Sequence, residues 1–143
     1  MISTVGAESR KFFWPIRIYY EDTDAAGIVY HANYLKFMER ARTEWLRQMG
    51  YEQNQLAVSV GILFVVRTIN IDYIKPARFN DKLKVASSVL RLGRASLEFT
   101  QNVVAADAVL TRGWVKVGCI DAATLRPQAM PNDIYTEIHN ATS

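Results

Sequence analysis

The 143-residue chain predicts an α+β fold in which one long helix packs on an antiparallel, curved sheet of five strands. Two observations carry this prediction. One segment, residues 33–49, shows a sustained helical stripe of apolar residues. Four long strand-like runs then follow one another with short breaks between them, an order that belongs to α+β rather than to alternating α/β chains. The length suits a single domain spanning 1–143, and a domain of this size buries roughly 70% of the surface its unfolded chain exposes.

Residues 1–11 read as a loose N-terminal arm. "FFWPIRIYY" (12–20) reads as a strand: Ile16, Ile18 and Tyr20 alternate with Arg17 and Tyr19, and Pro15 lies near the start, where a missing N–H is tolerated. The helix over 33–49 places Tyr34, Met38, Ala41, Trp45 and Met49 on one face. Asn33 is its candidate N-cap and Gly50 its candidate C′ residue. Arg40, Glu44 and Arg47 fall on the wet side. At 1.5 Å per residue the helix would be roughly 25 Å long. "GILFVVRTINIDYI" (61–74) is strand-like and apolar on both faces in its first half, which predicts a central strand. "KLKVASSVLRL" and "ASLEFTQNVVA" flank Gly93-Arg94 as a hairpin, and "AVLTRGWVKVGCI" follows Ala106-Asp107 as the last strand. Gly113 and Gly118 mark bends or close backbone approach. "PNDIYTEIH" predicts a short terminal helix from Pro131. The remaining sheet face and edges argue for dimerisation.

Composition narrows the function classes. Hydrophobic residues make up 50% and charged residues 22%, which is globular rather than disordered composition. The net charge of +3 is spread along the chain with no run of five basic residues, so no nucleic-acid partner is expected. The first residues lack the apolar run of a signal peptide, and no stretch reaches the ~20 apolar residues of a membrane span. A lone Cys119 excludes an internal disulfide and a cysteine metal cluster. Its strand context marks it as a packing residue. Together these predict a cytoplasmic protein.

The segment "YEDTDAAGIVYHANY" (20–34) is the densest cluster of polar chemistry. Glu21, Asp22 and Asp24 stand within a few residues, followed by Gly27, Tyr30, His31 and Tyr34 at the start of the helix. A bare pair of aspartates before a helix is an ordinary turn element. No Gly-x-Ser-x-Gly elbow is present, so a serine triad is not supported. An acid just ahead of a helix N-terminus lies beside orphan N–H groups and the positive end of the helix dipole.

The segment "YYEDTDAAGIVYHANYLKFMERAR" resembles the YbgC-type acyl-CoA thioesterases of the hotdog fold, the family associated with the Tol–Pal envelope system and related to 4-hydroxybenzoyl-CoA thioesterase. The resemblance extends from Trp14-Pro15 through "YIKPARFND" and "LGRASLEFTQ" to Ile120. It implies a long central helix wrapped by an antiparallel sheet, and hydrolysis of an acyl-CoA to free acid and CoA. It also implies homodimers or homotetramers with sites at the dimer interface, and no metal or redox cofactor, coenzyme A being part of the substrate. Asp24 matches the family's catalytic carboxylate. Asp22 matches a position that is usually acidic but not catalytic. His31 matches the residue whose backbone N–H polarises the thioester carbonyl. Tyr30-His31-Ala32 stands where the hydroxybenzoyl enzyme has a Trp-Tyr-Pro run, which favours an aliphatic acyl group.

Thioester hydrolysis needs a nucleophile or base and an oxyanion stabiliser. Asp24 supplies the first, in either role, and the amides around His31 the second. Gly27 lets the turn approach the thioester, and Tyr30 and Tyr34 are candidate substrate contacts. Lys75, Arg78, Arg91 and Arg94 are candidate partners for the phosphates of coenzyme A. Two other readings remain open. His31 with Glu39 would imitate a hotdog hydroxyacyl-thioester dehydratase, although that branch's His-Phe-Pro context is absent. A non-catalytic scaffold binding acyl carrier protein or lipid-synthesis partners is the other; acyl carrier protein is also a candidate partner of the enzyme.

Overall fold

The computed structural model describes residues 2–4 and 10–142. Its elements are β1 (Ile2–Thr4), β2 (Phe12–Arg17), a 3-10 turn (Tyr20–Asp22), α1 (Asn33–Gln48), α2 (Gln53–Gln55) running into a π turn (Leu56–Val60), β3 (Ile62–Tyr73), β4 (Lys82–Gly93), β5 (Ser96–Ala105), β6 (Ala108–Asp121) and α3 (Asn132–Thr142). Every strand pair is antiparallel. The order is β1-β4-β5-β6-β3, with β2 also on β4. β1 and β2 therefore share one outer position, β1 against Arg91–Gly93 and β2 against Lys82–Ser87. The five predicted strands are present around one long helix.

Five expectations are corrected. The N-terminal arm is not loose throughout, because Ile2–Thr4 pair with β4; residues 5–9 of that arm lie outside the described residues. β2 stops at Arg17 rather than Tyr20, since the chain turns at Tyr20–Asp22 and the Asp22 carboxylate takes the Tyr19 N–H at 2.8 Å. Residues 53–60 are helical, where no helix is predicted: Gln-Asn-Gln followed by Leu-Ala-Val-Ser-Val shows no stripe, and Leu56 alone is buried. β3 is an outer strand, paired only with β6 among the described residues, rather than a central one. Its apolar residues cover the core on one side and stand half-buried on the other. α3 also runs further than predicted, burying Ile134, Tyr135, Ile138 and Thr142.

The predicted stripe of α1 is the face that packs. Tyr34, Met38, Ala41 and Trp45 are buried, Met49 is half-buried, and Phe37 and Leu46 widen the stripe. The N-terminal half of α1 packs with Ile16, Ile18, Leu83, Val85, Val103 and Leu110. Its C-terminal half packs with Val89, Leu92, Leu97, Phe99, Val115 and Val117. At Gly113 the Met38 side chain of α1 packs tightly on the sheet: a Cβ there would lie 2.6 Å from the Gln101 carbonyl oxygen and 2.7 Å from Met38 Cε. Gly50 ends the helix region with φ +93°, in the left-handed region that favours glycine. This packing fixes where the start of α1 stands relative to the loop before it.

Candidate active site

The loop before α1 is held from both sides. Thr23 bridges Val29, the Asp24 N–H donates to the Ile28 carbonyl at 2.9 Å, and the Gly27 N–H donates to the Asp24 carbonyl at 3.0 Å. Gly27 has φ +78° and nothing near its missing Cβ, so the turn's left-handed backbone, not crowding within the chain, selects glycine. Ile28 bridges Arg78, and the Val29 N–H donates to the Ala77 carbonyl, tying the loop to the connector between β3 and β4.

The two aspartates have different surroundings. Asp22 is buried; one carboxylate oxygen accepts from the Tyr19 N–H and the other from the Asn33 side-chain amide at 3.0 Å. Its carbonyl also accepts from the Tyr30 N–H. Asp22 thus clamps the loop to the first turn of α1. This corrects the N-cap expectation: Asn33 lies inside the helix and its side chain serves Asp22, while the N-cap position is Ala32, which has no side chain to cap with. Asp24 is exposed, and one of its oxygens accepts from the Ala26 N–H at 2.9 Å, which orients the carboxylate.

Asp24 and His31 line one cavity of about 300 Å³ with Ile28, Val29, Tyr34, Tyr73, Ile74, Lys75 and Pro76. Four predicted site residues therefore meet here: Asp24, His31, Tyr34 and Lys75. Gly27 forms the turn beside them. Tyr30 is exposed with its ring 4.5 Å from the His31 ring, and Arg78 is held near by its bridge to Ile28. Arg91 and Arg94 are not brought together with them. They lie at the far end of β4, roughly 30 Å along the strand from Lys82 at ~3.4 Å per residue. Arg91 pairs with Glu98 at 3.8 Å; Arg94 donates to Asn132 at 2.8 Å and covers the Tyr135 ring.

Tyr73 is the site residue that sequence reading missed. Its hydroxyl donates to the His31 carbonyl at 2.8 Å, and its ring meets Tyr34 and His31 edge-on. The available signal was its place as the last residue of β3, before Ile74-Lys75-Pro76. Tyr34 accepts the Ala77 N–H at 3.3 Å. Burial pushes both phenols upward, so they stay protonated near neutral pH and leave base chemistry to other groups. The N–H groups of His31 and Ala32 meet no acceptor among the described residues. An uncapped helix start, with its positive dipole end, thus opens beside a carboxylate.

The profile of the Thioesterase superfamily matches residues 26–111, more than half of the chain. An acyl-CoA thioester hydrolase, YbgC, of Escherichia coli is 43% identical over 127 residues, covering 88% of this chain and 94% of the relative. The chain belongs to the YbgC-type thioesterases. Acyl-CoA thioesterase YbgC of Haemophilus influenzae is 41% identical over 129 residues, covering 90% of this chain and 95% of that one. Among solved structures, a probable thioesterase from Bartonella henselae matches with a TM-score of 0.81 at 32% identity, covering 85% of this chain and all of that one. A cysteine is the other side chain here with the chemistry to form an acyl-enzyme. Here burial pushes the Cys119 thiol up to about 11, which leaves it protonated and inert. Among the described residues no helix is long and apolar enough to cross a membrane.

Proposed function

We propose that this thioesterase hydrolyses aliphatic acyl-CoA thioesters to free acid and CoA, with Asp24 as nucleophile or general base and the N–H groups at the start of α1 as oxyanion hole. The observation that carries the reading is the shared cavity: an oriented, exposed carboxylate beside a helix start that no side chain caps. In the general-base route Asp24 takes a proton from water and the water oxygen bonds to the thioester carbon. The carbonyl oxygen becomes an oxyanion held by the His31 and Ala32 amides. The carbon–sulfur bond then breaks and the thiolate regains the proton from Asp24. In the nucleophilic route the Asp24 oxygen bonds to the carbon, the carbon–sulfur bond breaks and the CoA thiolate leaves to take a proton from solvent, and water then cleaves the mixed anhydride to the free acid and the Asp24 carboxylate. Neither route calls on a metal or redox group. Lys75, which lines the cavity, and Arg78, bridged to Ile28 beside it, are the proposed partners of the phosphates of coenzyme A.

A panel of acyl-CoA chain lengths with free-thiol detection tests this. Wild-type protein is expected to release thiol from aliphatic acyl-CoA, and release from none of the panel would overturn the reading. The dehydratase alternative is weakened by Glu39, which in one chain lines a different cavity from His31.

His31→Ala is expected to lower kcat by less than about tenfold, against the 10²–10³ typical of losing an oxyanion donor, because the proposed donor is the backbone amide. Abolished turnover in a folded variant would assign the role to the imidazole instead.

The proposal includes a homodimer or homotetramer. β3 offers twelve residues of outer strand, with Val66, Tyr73 and the following Ile74 exposed, and such an edge calls for cover. Sedimentation at micromolar concentration should show a dimer or larger; a fully active monomer would contradict it. The Tol–Pal association, an acyl carrier protein partner and a cytoplasmic setting rest on the resemblance and on the sequence's composition.

A further inference from the structure

The two amides proposed for the oxyanion hole belong to successive peptide units, and in each unit the carbonyl at the other end is engaged. The His31 N–H shares its peptide with the Tyr30 carbonyl, which accepts from the Asn33 N–H at 2.8 Å at the entry to α1. The Ala32 N–H shares its peptide with the His31 carbonyl. The Leu35 N–H does not serve that carbonyl and donates to the Ala32 carbonyl at 3.2 Å. The donor is instead a side chain 42 residues away, the Tyr73 hydroxyl, at 2.8 Å.

Tyr73 is fixed where it stands. Its backbone pairs with Thr111 of β6, and the next two N–H groups, of Ile74 and Lys75, both donate to the Leu110 carbonyl, at 2.8 and 3.1 Å. Its ring is edge-on to Tyr34 at 5.5 Å and to His31 at 6.3 Å. The hydroxyl therefore comes from the sheet and not from the loop whose last peptide it holds. A hydrogen bond accepted by an amide carbonyl draws electron density from the nitrogen of the same planar unit. The N–H becomes a stronger donor, by roughly 10–30% per bond in condensed phases. The bond also stops the unit from turning, so the N–H keeps one direction. Partial burial keeps the phenol protonated near neutral pH, as a donor must be. The methyl of Ala32 can do neither, and the described residues offer its N–H no acceptor.

We propose that Tyr73 is a positioning residue of the oxyanion hole: its hydroxyl holds and polarises the His31–Ala32 peptide, so that the Ala32 N–H is aimed at the thioester oxygen as charge develops there. The proposal rests on the thioesterase reading above and adds to it a residue that acts through the peptide rather than on the reacting atoms.

Tyr73→Phe keeps the ring and its edge contacts and removes only the donor. With an aliphatic acyl-CoA that the wild type hydrolyses, kcat is expected to fall about three- to tenfold, the range of one net hydrogen bond. KM should stay within about twofold, because the lost interaction is used in the transition state. In the amide spectrum of the full chain the Ala32 nitrogen signal should shift, while those of Ala26 and Gly27 in the Asp24 turn stay in place. A His31→Ala background separates the two routes by which Tyr73 could act. The peptide survives that substitution, so the fold-loss from Tyr73→Phe should be the same there; its disappearance would give the role to the imidazole ring. Tyr73→3-fluorotyrosine, read at mildly acidic pH where the phenol stays protonated, supplies a stronger donor of the same shape. It should move the Ala32 signal the opposite way, with kcat no lower than wild type, and it decides if Tyr73→Phe fails to fold. Unchanged kcat in folded Tyr73→Phe, a rise in KM alone, a lower Tm with kcat retained, or an unmoved Ala32 signal would each overturn the proposal. Failure of the thioesterase reading looks different: the wild type itself releases no thiol from any acyl-CoA, whereas failure of the Tyr73 role leaves an active wild type and an equally active Tyr73→Phe.

Discussion

Asp24→Asn is expected to lower thiol release by about 10²–10⁴-fold, the contribution typical of a positioned acid–base group, while the fold and substrate binding survive. The substitution is nearly isosteric. An Asn side-chain oxygen can still accept from the Ala26 N–H, so the turn that Asp24 shapes is kept. What disappears is the negative charge, and with it both attack on the thioester carbon and proton abstraction from water. The informative companion is Asp22→Asn. Both carboxylate oxygens of Asp22 accept from donors, the Tyr19 N–H and the Asn33 amide. An Asn at 22 must turn its own NH₂ toward one of them. The cost should be stability, about 1–3 kcal/mol for an unsatisfied buried group, with turnover retained by the folded fraction. Thiol-release kinetics and thermal unfolding on both variants separate the roles. A dead, well-folded Asp22 variant beside a near-normal Asp24 variant would reverse the assignment.

The second large effect concerns stability. Gly113→Ala is expected to destabilise the protein by about 1–3 kcal/mol, as overpacking does, lowering Tm by about 3–10 °C for a chain of this length. The new methyl would meet two atoms at once. Met38 Cε can swing aside, but the Gln101 carbonyl belongs to the paired β5 strand and cannot. The sheet or α1 must therefore move. Gly118→Ala is the control. There the close atom is Arg67 Cδ at 2.8 Å, on a flexible side chain at a strand irregularity, and the effect should be smaller. Circular dichroism melts of both variants check the ranking. Unchanged stability in Gly113→Ala, or a larger loss in Gly118→Ala, would show that the helix–sheet contact has slack.

What was legible in the sequence was what periodicity and local chemistry encode. The stripe from Tyr34 to Trp45 is a property of one segment, and so is the Asp24–Gly27 turn. The less legible features depend on partners distant in the chain. β3 reads as central because its residues are apolar on both faces, but pairing order is set by the whole sheet. Gln101 occupies an inward position of β5 between Phe99 and Val103. Its role appears only when Met38, Ser87 and Arg42 are brought to it by the fold. Asn33 looks like a cap by position and becomes a partner of Asp22 through a loop that no local pattern specifies. Arg91 and Arg94 share residue type with Lys75 and Arg78, and residue type alone cannot tell one end of β4 from the other.

The bare start of α1 has a further consequence. A helix that begins at Ala32 without a capping side chain forgoes about 1 kcal/mol relative to one begun by Ser, Thr, Asp or Asn. That deficit stands at the point where thioester chemistry needs unclaimed N–H groups. A capping oxygen introduced at position 32 would reach the N–H groups of Tyr34 or Leu35, inside the helix from the His31 and Ala32 amides, and would set its lone pairs beside the site where negative charge develops. In engineering terms, the position is a trap for stability screens: a variant ranked higher by melting temperature there would have placed a competing oxygen at the edge of its own site.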